Sequence, residues 1–336
     1  MADDALTAPL LSVRAPDGRI VAALLAGDRM VDVARAAAAL GIAVTVDDQA
    51  PGLHALLGAW DANRPALAAL QAQLIAGEAQ APWDLGAFAA GDERVVAPVP
   101  RPEKLLFAGA NYQRHVLEDA ARFDPDTAGA AAAEAAEPYM FIKLPLCVSG
   151  PYAPIVRPLG HDQLDYEVEL AVVIGRGGRH VEPEDALDHV AGYLLCNDVS
   201  SRSRTMRADW PFLKTDWFSG KNFETAAPLG PFLLPAAAVP DWRALRLRLW
   251  VNGELRQNDR AGEMTFGIEE QIAFASRQVP LRPGDVIATG TPAGSGFRDG
   301  RYLQPGDVVE AGGDGLGAQR TAVRAEAPAA LAARPS

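Results

Sequence analysis

Asp165-Tyr166-Glu167-Val168-Glu169-Leu170-Ala171-Val172-Val173-Ile174 is the stretch that decides how this chain is read. Its apolar, β-branched run predicts a strand. Successive strand side chains alternate between faces, so Glu167 and Glu169 share one face while Tyr166, Val168 and Leu170 share the other. Two carboxylates side by side, leading into an apolar run, repel each other unless a cation or a proton intervenes. A solvated sheet face is the ordinary alternative for a Glu-x-Glu strand. A second apolar stretch, Gly192-Tyr-Leu-Leu-Cys-Asn-Asp198-Val199, reads as another strand that ends in a carboxylate. If it pairs beside the first, Asp198 completes a set of three oxygen ligands. Carboxylates without Cys or His favour a hard divalent cation, Mg²⁺ or Mn²⁺, over Zn²⁺.

Three further stretches carry chemistry. In Asn111-Tyr-Gln-Arg-His115-Val-Leu-Glu118, His115 and Glu118 are three apart and share a helix face. A carboxylate beside an imidazole fixes its tautomer and raises its basicity, as a general base requires; a surface His–Glu pair is the alternative. In Phe218-Ser-Gly220-Lys221-Asn-Phe223, a lysine follows glycine among aromatic residues. Near a metal it would offer a cation to a substrate carboxylate or a developing enolate; otherwise it is a solvated loop residue. Asp285-Val-Ile-Ala-Thr-Gly290-Thr291-Pro-Ala-Gly294 reads as a strand running into a glycine-rich turn. There, backbone N–H groups and the Thr291 hydroxyl could hold an anion. His54, His161, His180 and His189 have no comparable neighbours and are read as structural or surface residues.

The chain has 336 residues, enough for one large domain and a smaller one. Hydrophobic residues make up 49 % and charged residues 22 %, a globular balance. A net charge of −12 argues against a nucleic-acid partner, which would require a concentrated basic surface. No apolar run approaches the roughly 18 residues of a membrane span. The acidic opening Met1-Ala-Asp-Asp4 is wrong for a secretory leader or transit peptide. Cys147 and Cys196 both sit in apolar segments and read as buried free thiols, so a cytoplasmic, reducing compartment is expected. Leu10–Arg14, a turn at Ala15–Gly18 and Arg19–Leu25 predict strand, turn, strand. Val31 to Ile75 has helical spacing broken at Pro51-Gly52, and the proline-containing stretch 79–102 reads as a connection. The expected organisation is a small N-terminal α+β domain over 1–98, a β-rich catalytic domain over 99–325 and a frayed tail over 326–336. The Ala-rich segment 118–137 is expected to form a flap or insertion.

Taken together and in this order, the motifs resemble the fumarylacetoacetate hydrolase family. The matching residues are the Glu167-x-Glu169 strand, Asn197-Asp198-Val-Ser, Arg202, Gly220-Lys221-Asn-Phe and Thr289-Gly-Thr-Pro-Ala-Gly294, within roughly Lys104 to Ala325. The resemblance implies an α+β, β-rich fold: a mixed β-roll catalytic domain behind a small N-terminal domain, in a homodimer. It also implies Mg²⁺ or Mn²⁺ on Glu167, Glu169 and Asp198, and a His115–Glu118 dyad on a short lid helix. Lys221, Gly290 and Thr291 would meet a 2-oxo acid substrate, with Arg202 near the metal. Relatives commonly read Ser-Ala-Arg-Asp-x-Gln after the ligand aspartate. This chain reads Ser200-Ser-Arg202-Ser203-Arg-Thr205 instead, with aromatic residues in 208–217.

The activity expected on this resemblance is Mg²⁺-dependent hydrolytic C–C cleavage of an acylpyruvate or other β-diketo acid, with His115 activating water. Decarboxylation, isomerisation or hydration of 2-oxo diacids, as in aromatic catabolism, passes through the same enolate and is the alternative enzyme reading. A catalytically idle ligand-binding protein is the alternative of another class.

Overall fold

The computed structural model describes residues 5–76, 82–123, 136–210 and 212–327. The strand Val168–Ile174 lies inside a six-stranded mixed sheet. Across the sheet the order is Leu234–Pro235, Val190–Asn197, Val168–Ile174, Val286–Ala288, Leu105–Gly109 and Tyr139–Lys143. All seven residues of Val168–Ile174 are buried. Covering on both faces accounts for an apolar run without alternation, and each fully buried aliphatic side chain there contributes about 1.5–3 kcal/mol. The strand is antiparallel to Val190–Asn197, pairing Val168 with Asn197, and to Val286–Ala288, pairing Ala171 with Ala288. That register brings the end of one strand, at Asp198, beside the beginning of the other, at Glu167.

A five-stranded sheet carries Glu254–Arg260, Arg246–Val251, Val308–Gly313, Gly317–Ala325 and Ile155–Arg157 in that order. Asn252 and Gly253 close its hairpin with φ of 51° and 80°, the two left-handed residues of a tight turn. The fold is thus the β-rich α+β class expected. The helix Ile268–Gln278 was not anticipated. The Glu270 carboxylate accepts from the Gly267 N–H at its start, a cap made by a glycine rather than by the serine or aspartate usually sought.

The N-terminal residues also differ in detail from their reading. Helices Val33–Leu40, His54–Leu57 and Trp60–Ala76 account for the helical spacing. The stretch read as a connection instead supplies two strands, Asp84–Ala87 and Val95–Val96. These join Arg29–Asp32, Ile20–Ala26 and Leu10–Arg14 in a five-stranded sheet. The strands at 84–87 and 95–96 are short and the first holds a glycine, so periodicity could not reveal them. This sheet is bonded to the rest of the molecule: Leu10 and Leu233 exchange both backbone hydrogen bonds, at 2.9 and 2.8 Å, and the Ser12 hydroxyl donates to the Pro98 carbonyl at 2.7 Å. We propose the division between the N-terminal and catalytic units at residue 98, just beyond the last strand of this sheet. Glu326, assigned to the frayed tail, is held by its N–H to the Arg157 carbonyl and by its carboxylate to the Leu159 N–H, both at 3.0 Å. Most of the segment read as a flap lies outside the described residues, and what is described of it belongs chiefly to the helix Gln113–Phe123.

Candidate active site

Glu167, Glu169 and Asp198 meet where the interior strands Val168–Ile174 and Val190–Asn197 begin and end, each offering a carboxylate oxygen within 4.8 Å of the others'. All three are buried. Two backbone features set them there: Asp198 N–H donates to the Glu167 carbonyl at 2.8 Å, and the Asn197 side chain accepts from Glu167 N–H at 2.9 Å. Glu167 lies one residue before the regular strand, so these contacts rather than ladder pairing orient it.

Three cations surround the trio, and they are distributed unevenly. Lys221 Nζ lies 2.8 Å from Glu167 Oε2 and 2.5 Å from Asp198 Oδ2. The Arg202 guanidinium bonds Glu167 and, through Nε at 2.9 Å, Asp165 Oδ2. Lys143 Nζ lies 2.5 Å from Asp198 Oδ1 and donates to the Val199 and Ala226 carbonyls at 2.8 and 2.6 Å. Glu169, among the described residues, has no such ion pair; it accepts only the Gly290 N–H, at 2.8 Å. The electrostatic consequence is a split. Burial opposes ionisation of Glu167, but Arg202 and Lys221 outweigh it and hold that carboxyl below the usual range. Burial, with the charges of Asp198 and Glu167 beside it, pushes Glu169 well above it. A buried carboxylate with two like charges nearby and no cation of its own is what a divalent ion would relieve. The donors are all oxygen, so the residues present fit a hard cation of the Mg²⁺ or Mn²⁺ kind.

The trio lines a cavity of about 370 Å³ together with His115, Asp119, Arg202, Lys221, Phe141 and Trp217. His115 and Lys221 therefore face the same space as the carboxylates. Phe141 and Trp217 pack at 4.9 Å between centroids and cover Lys221, whose ammonium sits 5.0 Å from the Phe141 ring. The carboxylate beside His115 is Asp119, at 3.5 Å from Nε2, and not Glu118 as the i, i+3 spacing suggested. Glu118 turns away: its Oε2 accepts the Gly294 N–H at 2.7 Å, and Arg298 reaches its Oε1 at 3.5 Å.

The glycine-rich turn also differs from its reading as an anion cradle. The Gly290 N–H is engaged by Glu169, and the Thr291 hydroxyl donates to the Val168 carbonyl at 2.9 Å while accepting from Gln257 at 2.8 Å. Thr291 still lines the cavity. Gly290 has φ of +99°, and a Cβ there would stand 2.7 Å from Asn111 Cβ. We expect Gly290→Ala to cost about 1–3 kcal/mol. Because the same N–H supports Glu169, metal affinity should fall roughly 10- to 100-fold. Thermal melts and a metal titration check this; an unchanged melting temperature would mean the turn tolerates a side chain.

Lys143, Asp119, Asp165 and Gln257 were not singled out from the sequence. Asp165 carries Arg202 and also accepts the Gly296 and Phe297 N–H groups at 2.6 and 3.0 Å, tying the arginine to the turn. Thr205 does not line the cavity; its hydroxyl donates to the Ser201 carbonyl at 3.0 Å and it packs under Gly220.

Residues 104–324 match a family model described as "Fumarylacetoacetate (FAA) hydrolase C-terminal". The chain belongs to the fumarylacetoacetate hydrolase family. Within that family it is 41 % identical over 228 residues to the mitochondrial oxaloacetate tautomerase fahd2 of Xenopus laevis, covering 67 % of this chain and 66 % of the relative, so it spans just under two thirds of that relative's length. It is 37 % identical over 243 residues to oxaloacetate tautomerase YisK of Bacillus subtilis, covering 70 % and 75 %. Among solved structures of fumarylacetoacetate hydrolase relatives, maleylpyruvate hydrolase from Sphingobium sp. SYK-6, in complex with manganese(II) ion and pyruvate, superposes with a TM-score of 0.69 at 28 % identity, covering 95 % of this chain and all of that one. This chain is accordingly an enzyme of the same family, with an acidic cluster suited to a metal. Among the described residues no helix is long and apolar enough to cross a membrane.

Proposed function

We propose that this enzyme interconverts the enol and keto forms of a small 2-oxo diacid of the oxaloacetate kind, with a divalent cation held by Glu167, Glu169 and Asp198. The observation that carries the reading is one cavity of about 370 Å³ lined by the carboxylate trio, Lys221 and His115. The identity to oxaloacetate tautomerases supports it. When bound, Mg²⁺ or Mn²⁺ would stabilise negative charge on the 2-oxo oxygen. Arg202 and Lys221 supply positive charge for the substrate carboxylates, and the Phe141–Trp217 wall excludes water from the planar enol. His115 takes the C3 proton as the keto form enolises and delivers it to the 2-oxo oxygen; in the reverse direction it takes the enol O–H proton and returns it to C3. Only C–H and O–H bonds change, so no water is consumed.

Hydrolytic cleavage of an acylpyruvate, the activity expected from the sequence, is the second reading. The maleylpyruvate hydrolase relative with manganese and pyruvate supports it. In that case His115 would take a proton from water attacking the distal carbonyl, the C–C bond would break, and the pyruvate enolate would be protonated at carbon. Ultraviolet absorbance of the enol separates the two when pyruvate is assayed in parallel. We expect oxaloacetate enol to decay faster with enzyme and Mg²⁺, without pyruvate beyond the uncatalysed background and with His115→Ala reduced roughly 10²- to 10⁴-fold. Stoichiometric pyruvate from an acylpyruvate, with no effect on oxaloacetate, would select hydrolysis instead.

A homodimer fits the outer strand Tyr139–Lys143, whose Ile142 is 61 % exposed, and the neighbouring Phe218, 67 % exposed. Buried free thiols at Cys147 and Cys196 fit a reducing, cytoplasmic setting.

A further inference from the structure

We infer that the diacid turned over at this site carries an apolar substituent at C3, received by the wall that Phe141 and Trp217 build. The inference rests on the enol–keto reading above and narrows its substrate to C3-substituted 2-oxo diacids. Trp217 is then a specificity-determining residue and takes no part in moving the proton.

The cations of the cavity flank Glu167: Lys221 lies 2.8 Å from its Oε2, and Arg202 bonds its Oε1. Among the described residues no other lysine or arginine lines the cavity. A diacid whose two carboxylates are met by these cations and the metal therefore spans Glu167. Neither carboxylate can be turned to an apolar surface without losing its partners. Only the carbon between them is left to face such a surface.

That surface is large for a four-carbon acid. Phe141 and Trp217 are supported from behind, by Phe107 at 5.3 Å and by Tyr139 at 5.4 Å between centroids. Phe107 is fully buried, whereas Phe141 and Trp217 are only half-buried and both line the cavity. Gly109 keeps the nearby indole edge open, since a Cβ there would stand 3.6 Å from Trp217 Cη2 and 3.0 Å from Tyr139 Cδ1. Ala110, Val116 and Ala120 add further apolar lining. A cavity of about 370 Å³ is of the size that encloses a drug-sized ligand. Oxaloacetate alone leaves much of this apolar lining in water, and each methylene that covers it should raise affinity about 4-fold.

The chemistry leaves room for the substituent. C3 is the one carbon of the diacid that bears hydrogens. One C3–H bond breaks, its proton passes through His115 to the 2-oxo oxygen, and the C2–C3 double bond forms. The second hydrogen takes no part, so an alkyl or aryl group in its place leaves the reaction balanced. Replacing both hydrogens removes the transferable proton and gives a ligand that binds without turnover.

Oxaloacetate, 3-methyloxaloacetate and 3-benzyloxaloacetate, followed by enol absorbance with Mg²⁺, test the inference. Relative to each uncatalysed rate, kcat/KM should rise along the series, the benzyl compound reaching about 10-fold above oxaloacetate. In Trp217→Leu the three values should fall within about 3-fold of one another. Phe141→Leu, on the same wall, should narrow the preference in the same way. Oxaloacetate as the best of the three in wild type, or a benzyl preference that survives both substitutions, would overturn the inference. The non-enolisable 3,3-dimethyl and 3-benzyl-3-methyl compounds extend the test to binding alone. Calorimetry on Mg²⁺-loaded wild type should find the benzyl compound about 10-fold the tighter, with the difference lost in Trp217→Leu. Equal affinities in wild type would again overturn the inference. No catalysed enol decay with any of the three substrates would instead defeat the enol–keto reading, and the calorimetry would still decide whether the wall receives the substituent.

Discussion

Glu169→Gln should abolish metal-supported turnover, by on the order of 10³-fold, while making the metal-free protein more stable than wild type. The two effects have one cause. Glu169 is buried beside Asp198 and Glu167, and no lysine or arginine pairs with it among the described residues. Its carboxyl is therefore pushed well above the usual range. A carboxyl whose folded pKa exceeds its unfolded value near 4.5 binds more protons in the native state between those two values. Stability of the metal-free protein must then fall as pH rises above about 4.5, and the contribution of this group at neutral pH is unfavourable. Glutamine keeps the shape and can still accept the Gly290 N–H, but it carries no charge to desolvate. We expect metal-free Glu169→Gln to melt about 2 °C or more above metal-free wild type at pH 8, with a shallower pH dependence. With saturating Mg²⁺ the order should reverse, because only wild type gains the full binding free energy. A metal-free variant that melts below wild type at pH 8 would show that Glu169 is satisfied without a cation.

Lys143→Met should be the most destabilising single substitution near the site, by about 3–5 kcal/mol. Lys143 is 2 % exposed, and its ammonium is spent on Asp198 Oδ1 at 2.5 Å and on two backbone carbonyls. Methionine replaces the stem; what is lost is the cation opposite a buried carboxylate and over the Phe107 ring, and two donors to buried acceptors. Urea denaturation of the metal-free proteins measures the difference. A loss of no more than about 1 kcal/mol, the value of an exposed ion pair, would mean that Asp198 is stabilised by other groups.

The contrast between Lys143 and the trio shows where sequence reading stops. Glu167 and Glu169 were legible because strand periodicity puts them on one face and their charge conflicts with the apolar run that follows. Asp198 was legible because an antiparallel partner strand returns to the same end. His115, Lys221 and Arg202 were placed at the cavity by the order of motifs rather than by any local rule. Lys143 is silent in sequence: in Tyr139–Lys143, on the outer strand, a lysine reads as solvent-facing, and only the three-dimensional approach of Val199 and Ala226 buries it. Asp119 was missed for a different reason, since i+3 and i+4 are equivalent on a helix face and Arg298 and Gly294, 176 residues or more from Glu118, decide between them. Gln257, from the distant hairpin, ties Val168, Thr291 and Pro292 together, and nothing near it in sequence signals that task. The strand at Asp84–Ala87 was hidden because its glycine and alanine carry little β signal, and its pairing with Arg29–Asp32 supplies the order instead.

The most direct measurement is a Mn²⁺ titration of the metal-free protein, with free ion followed by its electron paramagnetic resonance signal, for wild type and Asp198→Asn. The trio predicts a single saturable site per chain in wild type, displaced by excess Mg²⁺ and lost in Asp198→Asn. No saturable binding in wild type, or the same stoichiometry and affinity in Asp198→Asn, would contradict a metal centre built from Glu167, Glu169 and Asp198.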